Sequence, residues 1–133
     1  MPSILLIDDD EDVRITTSEL LRSDGYRVDT AEDARVGLAL YKAWLYDLVI
    51  TDIVMPEMDG LELIEALRNT TPRPRVIAIS GDAKYSEPHF LLAAMRLGAE
   101  RIIAKPVLPD VLLQTVDDVL AKPAQASSLP PER

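Results

Sequence analysis

The sequence contains no cysteine among its 133 residues, which excludes disulfide bonds and metal sites built from thiolates. It also lacks any apolar run near the roughly 20 residues that a membrane-spanning helix requires, so we predict no membrane insertion. The amino terminus, Met1-Pro2-Ser3, leads straight into an apolar segment without a basic region or a small-residue cleavage site. We therefore expect no secretory signal and a cytoplasmic location.

Positive charge is sparse and dispersed along the chain. The formal net charge is −9 and the Lys and Arg residues do not cluster, which argues against direct binding to nucleic acid because phosphate contacts come mainly from clustered basic side chains. Neither Gly-x-Gly-x-x-Gly nor Gly-Lys followed by Ser or Thr occurs, which disfavours a nucleotide-binding α/β domain. His89, the only histidine, and Trp44, the only tryptophan, lie in no pattern that indicates a function. Proteins and cations are the expected partners.

Short apolar runs alternate with longer segments of helical period. With 47% hydrophobic residues the chain can bury one core of ordinary size. The alternation predicts five βα units and an α/β fold, a doubly wound five-stranded parallel sheet. The predicted strands are Ile4–Ile7, Arg27–Thr30, Leu48–Thr51, Val76–Ile79 and Arg101–Ala104. The first, third and fourth are almost wholly apolar and belong in the middle of the sheet.

Start and stop signals place the helices between these strands. The first helix should begin near Asp10 and end at Gly25, which tolerates a left-handed backbone. The others are predicted from Ala34 to Leu45, from Gly60 to before Pro72, from Pro88 to Gly98, and from Pro109 to Ala121. We expect one domain over residues 1–121. Residues 122–133 have linker composition and should form a disordered tail or the start of a linker.

Polar residues follow four of the five predicted strands: Asp8 and Asp9 after the first, Asp52 after the third, Ser80 after the fourth and Lys105 after the fifth. Each alone is ordinary, since acidic residues cap helices and Ser-Gly or Lys-Pro pairs form turns. If those strands are neighbours, however, their carboxyl ends converge on the crevice where such sheets bind ligands. Four coincidences then become one predicted site.

The grouped residues suit phosphoryl transfer to a carboxylate. Asp52 would be the nucleophile. The crowded carboxylates repel one another, so a hard divalent cation, best Mg²⁺, would neutralise them by bridging Asp9, Asp52 and a phosphoryl oxygen. The ammonium of Lys105 and the hydroxyl of Ser80 would meet the other phosphoryl oxygens.

Three segments resemble the receiver domain of bacterial two-component response regulators. They are Ile4-Leu5-Leu6-Ile7-Asp8-Asp9-Asp10, the run from Asp47 to Gly60 with its Asp-x-x-Met-Pro-x-Met-Asp-Gly pattern, and Ala104-Lys105-Pro106. The resemblance covers about residues 3 to 121. It implies a flavodoxin-like (βα)5 fold with strand order 2-1-3-4-5.

The resemblance also implies roles for the acidic residues. Asp52 would be the phosphoacceptor and Asp9 a direct Mg²⁺ ligand, while Asp8 would contribute through water or from a second layer. The backbone carbonyl of Val54 would complete the protein's share of ligands. The donor would be a phosphohistidine on a sensor histidine kinase or a phosphotransfer protein, and the acyl phosphate would later hydrolyse.

Switching residues are implied in the same way. Ser80 would swing toward the phosphoryl group and Lys105 would pair with it, preceding a cis bond to Pro106. A downstream protein effector would read the change on the fourth and fifth helices and the strand between them, and the chain would be no enzyme beyond catalysing its own phosphorylation and dephosphorylation. The sequence fits a stand-alone receiver or one cut from a larger regulator.

The sequence departs from the family pattern at two places. Ile102 stands three residues before the lysine, where the family usually has Tyr or Phe, so a switch based on aromatic rotation is in doubt. The segment from Gly81 to Gly98 is about three residues longer than usual and carries Tyr85, which could replace that aromatic.

Three other functions compete with this interpretation. The spacing of Asp8, Asp10 and Asp12 resembles a calcium-binding loop, but Val13 stands where such a loop needs glycine. An aspartate-nucleophile phosphatase would have a second Asp two residues after the nucleophile, where this chain has Val54. A receiver-like docking module that is never phosphorylated is the third.

Overall fold

Five strands alternate with five helices in the part of the chain that the structure describes. This computed structural model describes residues 1–55, 58, 60–81 and 88–122, without the side chains of 88–91. The strands are β1 (Ser3–Ile7), β2 (Arg27–Ala31), β3 (Leu48–Asp52), β4 (Arg75–Ser80) and β5 (Ala99–Ala104). The helices are α1 (Glu11–Ser23), α2 (Ala34–Trp44), α3 (Gly60–Arg68), α4 (Pro88–Leu97) and α5 (Pro109–Ala121).

All four strand pairings are parallel, and the sheet has the order β2-β1-β3-β4-β5. The fold class, the strand order and the central position of the three apolar strands are confirmed. β1 and β3 are buried along nearly their whole length because helices cover both faces of the sheet. Their apolar runs therefore have no solvent-facing alternation.

Alternate residues of each central strand enter two different hydrophobic clusters. Leu5 and Ile7 pack with residues of α2 and α3, whereas Ile4 and Leu6 pack with residues of α1 and α5. This division follows from the two-residue period of a strand. The sheet is thereby fixed from both sides, and its carboxyl edge, where helices begin, stays open for a site.

The ends of α1 agree with the sequence prediction, whereas the end of α2 does not. α1 begins after Asp10, whose side chain accepts from the Val13 amide at 3.1 Å, and Gly25 beyond its end has the predicted left-handed backbone, with φ +95°. α2 ends at Trp44, one residue earlier than predicted. Leu45 stops the helix because its φ is 55°, outside the helical range.

β3 and β4 each continue one residue further than predicted. Asp52 pairs with Ile79 and Ser80 pairs with Ala104, so both polar residues end their strands instead of following them. The prediction that placed them just past the strands was wrong by one position, because backbone pairing continues through a polar residue whose side chain finds a use at the edge of the sheet.

No helix among the described residues is long and apolar enough to cross a bilayer. Tyr85 and the extended segment around it lie outside the described residues, as does the predicted tail from residue 123 onward.

Candidate functional site

Three carboxylates converge at the carboxyl edge of the sheet. Oxygens of Asp8, Asp9 and Asp52 all lie within 4.8 Å of one another. Asp8 directly follows β1 and Asp52 ends the neighbouring β3, which explains their proximity. Asp8 is 2% exposed and Asp52 4%, whereas Asp9 is exposed to solvent. The predicted acidic cluster is present.

Lys105 brings a positive charge onto this cluster from the far strand. Its Nζ lies 2.8 Å from Oδ2 of Asp52, in an ion pair that also has hydrogen-bond geometry. Burial lowers the pKa of Lys105, but the hydrogen bond and charge of Asp52 outweigh burial and the net pKa is raised. The ammonium therefore stays charged at neutral pH. The bond from Lys105 to Pro106 is cis, as the resemblance implied.

Asp8 has a carboxyl group whose pKa is raised in this cluster. Its burial raises the pKa of its carboxyl, and the charge of Asp52 adds to that rise, although the Asp10 amide donates to Oδ1 at 2.9 Å and opposes it. Arg14 donates to the backbone carbonyl of Asp8 at 2.8 Å. The sequence alone does not indicate that Arg14 contacts the site. The one feature that suggests this contact is its position one turn into α1.

The two oxygens of Asp52 have different partners. Oδ2 accepts from Lys105, and Oδ1 accepts from the amide of Val54 at 3.3 Å. The second contact is long for an N–H···O hydrogen bond, so it is a weak one. Asp52 is thus held mainly through Oδ2.

Ser80 has a buried hydroxyl without a partner. The residue is 2% exposed, and its Oγ makes no hydrogen bond within the described part of the chain. A buried hydroxyl without a hydrogen bond costs free energy, so a ligand bound at this edge of the sheet would stabilise it by accepting that hydrogen bond. The backbone carbonyl of Ser80 accepts from the Lys105 amide at 2.9 Å, which joins the two residues.

Two glycines make room for the site. A Cβ on Gly60 would lie 2.4 Å from the backbone oxygen of Asp52, and a Cβ on Gly81 would lie 2.5 Å from Cδ of Lys105. Both distances are far inside van der Waals contact. The sequence indicates only a helix start at Gly60 and a turn at Gly81. It does not indicate the close contacts, because the contacting residue of each glycine is distant in the chain.

The donor atoms fit a magnesium ion. Carboxylate oxygens are the ligands that Mg²⁺ prefers, and it is held in proteins by one or two carboxylates with water and substrate oxygens. Three carboxylates face one ammonium here. A divalent cation would relieve the repulsion from Asp52, which adds to the larger effect of burial in raising the pKa of Asp8. Asp9 and Asp52 would hold it, with Asp8 beside them. The part of the Val54 carbonyl stays a prediction.

The geometry coincides with a match to known proteins. A family model described as the response regulator receiver domain matches residues 4–117. The chain belongs to this family. The resemblance drawn from the sequence is confirmed, and the chain is a receiver domain of the kind found in two-component response regulators.

Individual proteins agree with the family match. The receiver domain is 35% identical over 124 residues to the transcriptional regulatory protein GlrR of Escherichia coli K12, covering 93% of this chain and 27% of that protein. It is 35% identical over 120 residues to the chemotaxis protein CheY of Treponema pallidum, covering 88% of this chain and 81% of the other. A crystal structure of a CheY-like receiver domain protein from Methanospirillum hungatei superposes with a TM-score of 0.85 at 31% identity, covering 91% of this chain and 94% of that one. The chain thus spans about a quarter of the length of the first relative.

Proposed function

We propose that this receiver domain is a phosphorylation-dependent signalling switch whose phosphoacceptor is Asp52, with Mg²⁺ as cofactor and a phosphohistidine as donor. The observation that carries the proposal is the ion pair of 2.8 Å between Lys105 and Asp52 inside the three-carboxylate cluster. A buried aspartate that only stabilised the fold would gain nothing from two further carboxylates beside it.

Phosphoryl transfer needs a nucleophile and compensation for charge. A carboxylate oxygen of Asp52 forms the new P–O bond while the P–N bond of the donor phosphohistidine breaks, and the imidazole keeps the electron pair. When bound, Mg²⁺ supplies positive charge for the transferred group. Lys105 moves its ammonium from the Asp52 carboxylate onto a phosphoryl oxygen, so that its hydrogen bond is exchanged and not lost.

Ser80 provides the link from chemistry to signal. Its unpartnered Oγ would donate to a phosphoryl oxygen, which satisfies the hydroxyl only in the phosphorylated state. Phosphorylation therefore biases an equilibrium between two arrangements of the residues around β4. The free energy that the unpaired Ser80 hydroxyl costs before phosphorylation would then be recovered on phosphorylation, which favours the switched state.

The surface that reports this change is the one built from α4, β5 and α5. It exposes large apolar side chains from both helices, namely Leu92, Met95, Leu108 and Val111, beside the half-buried Ile102. Exposed apolar patches of this kind mark protein interaction sites.

A sensor histidine kinase or phosphotransfer protein would act as donor and a downstream protein as effector, and the chain would transform no other substrate.

Intact-mass measurement tests the proposal. The native chain, Asp52→Asn and a native sample with a chelator are incubated with Mg²⁺ and acetyl phosphate. A single phosphoryl adduct that appears only with Asp52 and Mg²⁺ present supports the switch. If Mg²⁺ binds but neither acetyl phosphate nor phosphorylated histidine kinases produce an adduct, the protein is a docking module that is not phosphorylated.

A further inference from the structure

The sheet ends on each side in a strand that has one neighbour. Among the described residues, β2 pairs with β1 alone and β5 pairs with β4 alone. The outer side of such a strand presents backbone N–H and C=O groups that no further strand satisfies. These groups bind any extended chain of matching spacing, so proteins usually protect their outer strands. The two outer strands of this sheet differ in that protection.

The outer side of β2 is partly covered. The Arg27 amide donates to the Pro2 carbonyl at 3.1 Å, so the backbone of Arg27 faces β1. Successive residues of a strand direct their backbone groups to opposite sides, and those of Val28 and Thr30 therefore point outward. Arg22 donates to the outward carbonyl of Val28 at 2.9 Å. A guanidinium from α1 thus obstructs the approach of another strand.

The outer side of β5 has no such cover among the described residues. The Lys105 amide donates to the Ser80 carbonyl at 2.9 Å, so the backbone of Lys105 faces β4. By the same alternation, the backbone groups of Ile102 and Ala104 point outward. No described residue forms a hydrogen bond with these outward groups. This side of β5 is therefore open to pairing.

A groove of about 260 Å³ lies along the outer side of β5. All four consecutive residues 101–104 line it, whereas a groove on one face of the sheet would contact only alternate residues. Leu108 and Val111, at the start of α5, also line it and are 58% and 44% exposed. An extended segment suits this groove, because its backbone can pair with the strand while alternate side chains contact the apolar residues.

The groove also has a charge preference. Among the described residues that line it, Arg101 is the one with a charge. Arg101 forms no hydrogen bond or ion pair with another described residue. An acidic side chain at the corresponding end of an added strand would pair with this guanidinium and fix the register of the strand.

We infer that the outer side of β5 binds an extended segment of the downstream effector as a sixth strand of the sheet. The segment has apolar residues at alternate positions and an acidic residue beside Arg101. That the partner is the effector rests on the proposed function, whereas the pairing itself needs no phosphoryl group. Ser80 pairs in register with Ala104, so a movement of Ser80 on phosphorylation would reach the strand that binds.

A second copy of this chain fits the outer side of β5 less well. α4 and α5 both contact β5, so another folded domain would bring its own two helices against them as its β5 approached. Two chains of net charge −9 also repel each other at long range. A single extended segment has neither obstacle.

Amide hydrogen exchange tests the inference on the native, unphosphorylated chain. Random 12-residue peptides displayed on phage are selected on the immobilised full chain, and the most enriched peptide is synthesised. We expect it to slow exchange of the Ile102 and Ala104 amides about tenfold, measured by NMR. The amides of Val28 and Thr30 are the internal control, because they hold the equivalent outward positions on β2, and their exchange should not change.

Two N-methylated forms of the peptide decide whether its backbone pairs with β5. One form has methyl groups on its odd-numbered amides and the other on its even-numbered amides. Only one of these sets faces β5 in an added strand. One form should therefore bind like the parent peptide, and the other should bind at least about tenfold more weakly.

Matched charge reversals locate the groove. Arg101→Glu should weaken binding of the enriched peptide about tenfold, because it replaces an attraction by a repulsion. Arg27→Glu makes the same change at the start of β2 and should leave binding unchanged.

Four results would each overturn the inference. They are a selection that enriches no peptide, equal binding of the two N-methylated forms, protection of Val28 and Thr30 in place of Ile102 and Ala104, and protection that rises with protein concentration when no peptide is present. The last result would assign the outer side of β5 to a second copy. All are measured without phosphorylation, so they are independent of whether Asp52 forms a phosphoryl adduct in the intact-mass test.

Discussion

The two edges of the sheet differ in what their polar residues do. At the carboxyl edge, Asp8, Asp52 and Ser80 are buried, the two carboxylates have oxygens within 4.8 Å of each other, and Lys105 pairs with Asp52. At the amino edge, where the strands begin, Arg73, Arg75 and Asp47 help to line a groove of about 600 Å³. Trp44 and Leu45 are exposed at the end of α2. The first arrangement is costly without a ligand, because like charges are close and the Ser80 hydroxyl has no hydrogen-bond partner among the described residues.

The contrast teaches where each kind of function belongs in a parallel α/β sheet. Helices begin at the carboxyl edge, so their positive ends favour an anionic ligand there. They end at the amino edge, where the last turns carry basic residues. Among the described residues, that edge has no cluster of carboxylates like the one at the carboxyl edge.

Loss of a lysine should slow phosphorylation at the carboxyl edge and leave it unchanged at the amino edge. Lys105→Met removes the ammonium that would meet the transferred phosphoryl group in the proposed switch, and we expect phosphorylation by acetyl phosphate to slow about 100-fold, the effect of removing one preorganised charged donor. Lys42→Met at the amino edge should leave the rate unchanged. The time course of the phosphoryl adduct, followed by intact mass, measures both. Equal rates for the two variants would contradict the role given to Lys105.

Most of the fold could be predicted because local and global signals agree. The apolar runs of β1, β3 and β4 indicated buried central strands, and the family resemblance supplied their order. The end of α2 was predicted one residue too late, because no pattern in the sequence indicates that Leu45 has a positive φ. Helix propensity favoured continuation there.

The sequence predicted which residues form the site, but it did not predict how closely other residues pack against them. Asp8, Asp9, Asp52 and Lys105 have types and positions that point to one chemistry. The close approaches at Gly60 and Gly81 depend on residues far away in the chain, so no local pattern reveals them. The groove at the amino edge was missed for the same reason, because its lining comes from several separate segments.

Gly81→Ala should disturb the site through Lys105. The new methyl would lie 2.5 Å from Cδ of Lys105, so the lysine stem must shift, and we expect its ammonium to pair less well with Asp52. We expect phosphorylation to slow about tenfold, because small misplacements of catalytic groups cost one to two orders of magnitude.

Gly25→Ala is the control for a general loss of stability. Gly25 has φ +95° and open space around the position of a Cβ, so the substitution should lower the free energy of unfolding by about 1 kcal/mol through backbone strain alone. Its phosphorylation rate should match that of the native chain. If Gly25→Ala slows phosphorylation as much as Gly81→Ala does, the effect at Gly81 is not specific to Lys105.

Asp8→Asn should weaken Mg²⁺ binding and change how stability depends on pH. The loss of one carboxylate beside the ion should reduce affinity about tenfold, measured by calorimetric titration. Burial raises the pKa of Asp8 above its ordinary 3.8 in the folded chain, so the folded state binds that proton more tightly than the unfolded state. With a chelator present, stability from Asp8 is therefore lost as pH rises from about 3.8 through the raised pKa. Asp8→Asn should lack that decline, and parallel curves for the two proteins would refute the assignment.

The smallest effect is expected at the amino edge, from Tyr26→Phe. The Tyr26 hydroxyl donates to Oδ1 of Asp117, which ties the start of β2 to α5. Removal of one partly exposed hydrogen bond should lower the free energy of unfolding by about 1 kcal/mol, measured by urea denaturation. Burial, with the hydrogen bond and charge of Asp117, raises the pKa of Tyr26, so the hydroxyl stays protonated and the difference should be constant from pH 6 to 9. Phosphorylation should be unaffected, because Tyr26 lies at the amino edge, away from Asp8, Asp9 and Asp52, and a slower rate in this variant would mean that the two edges are coupled through α5.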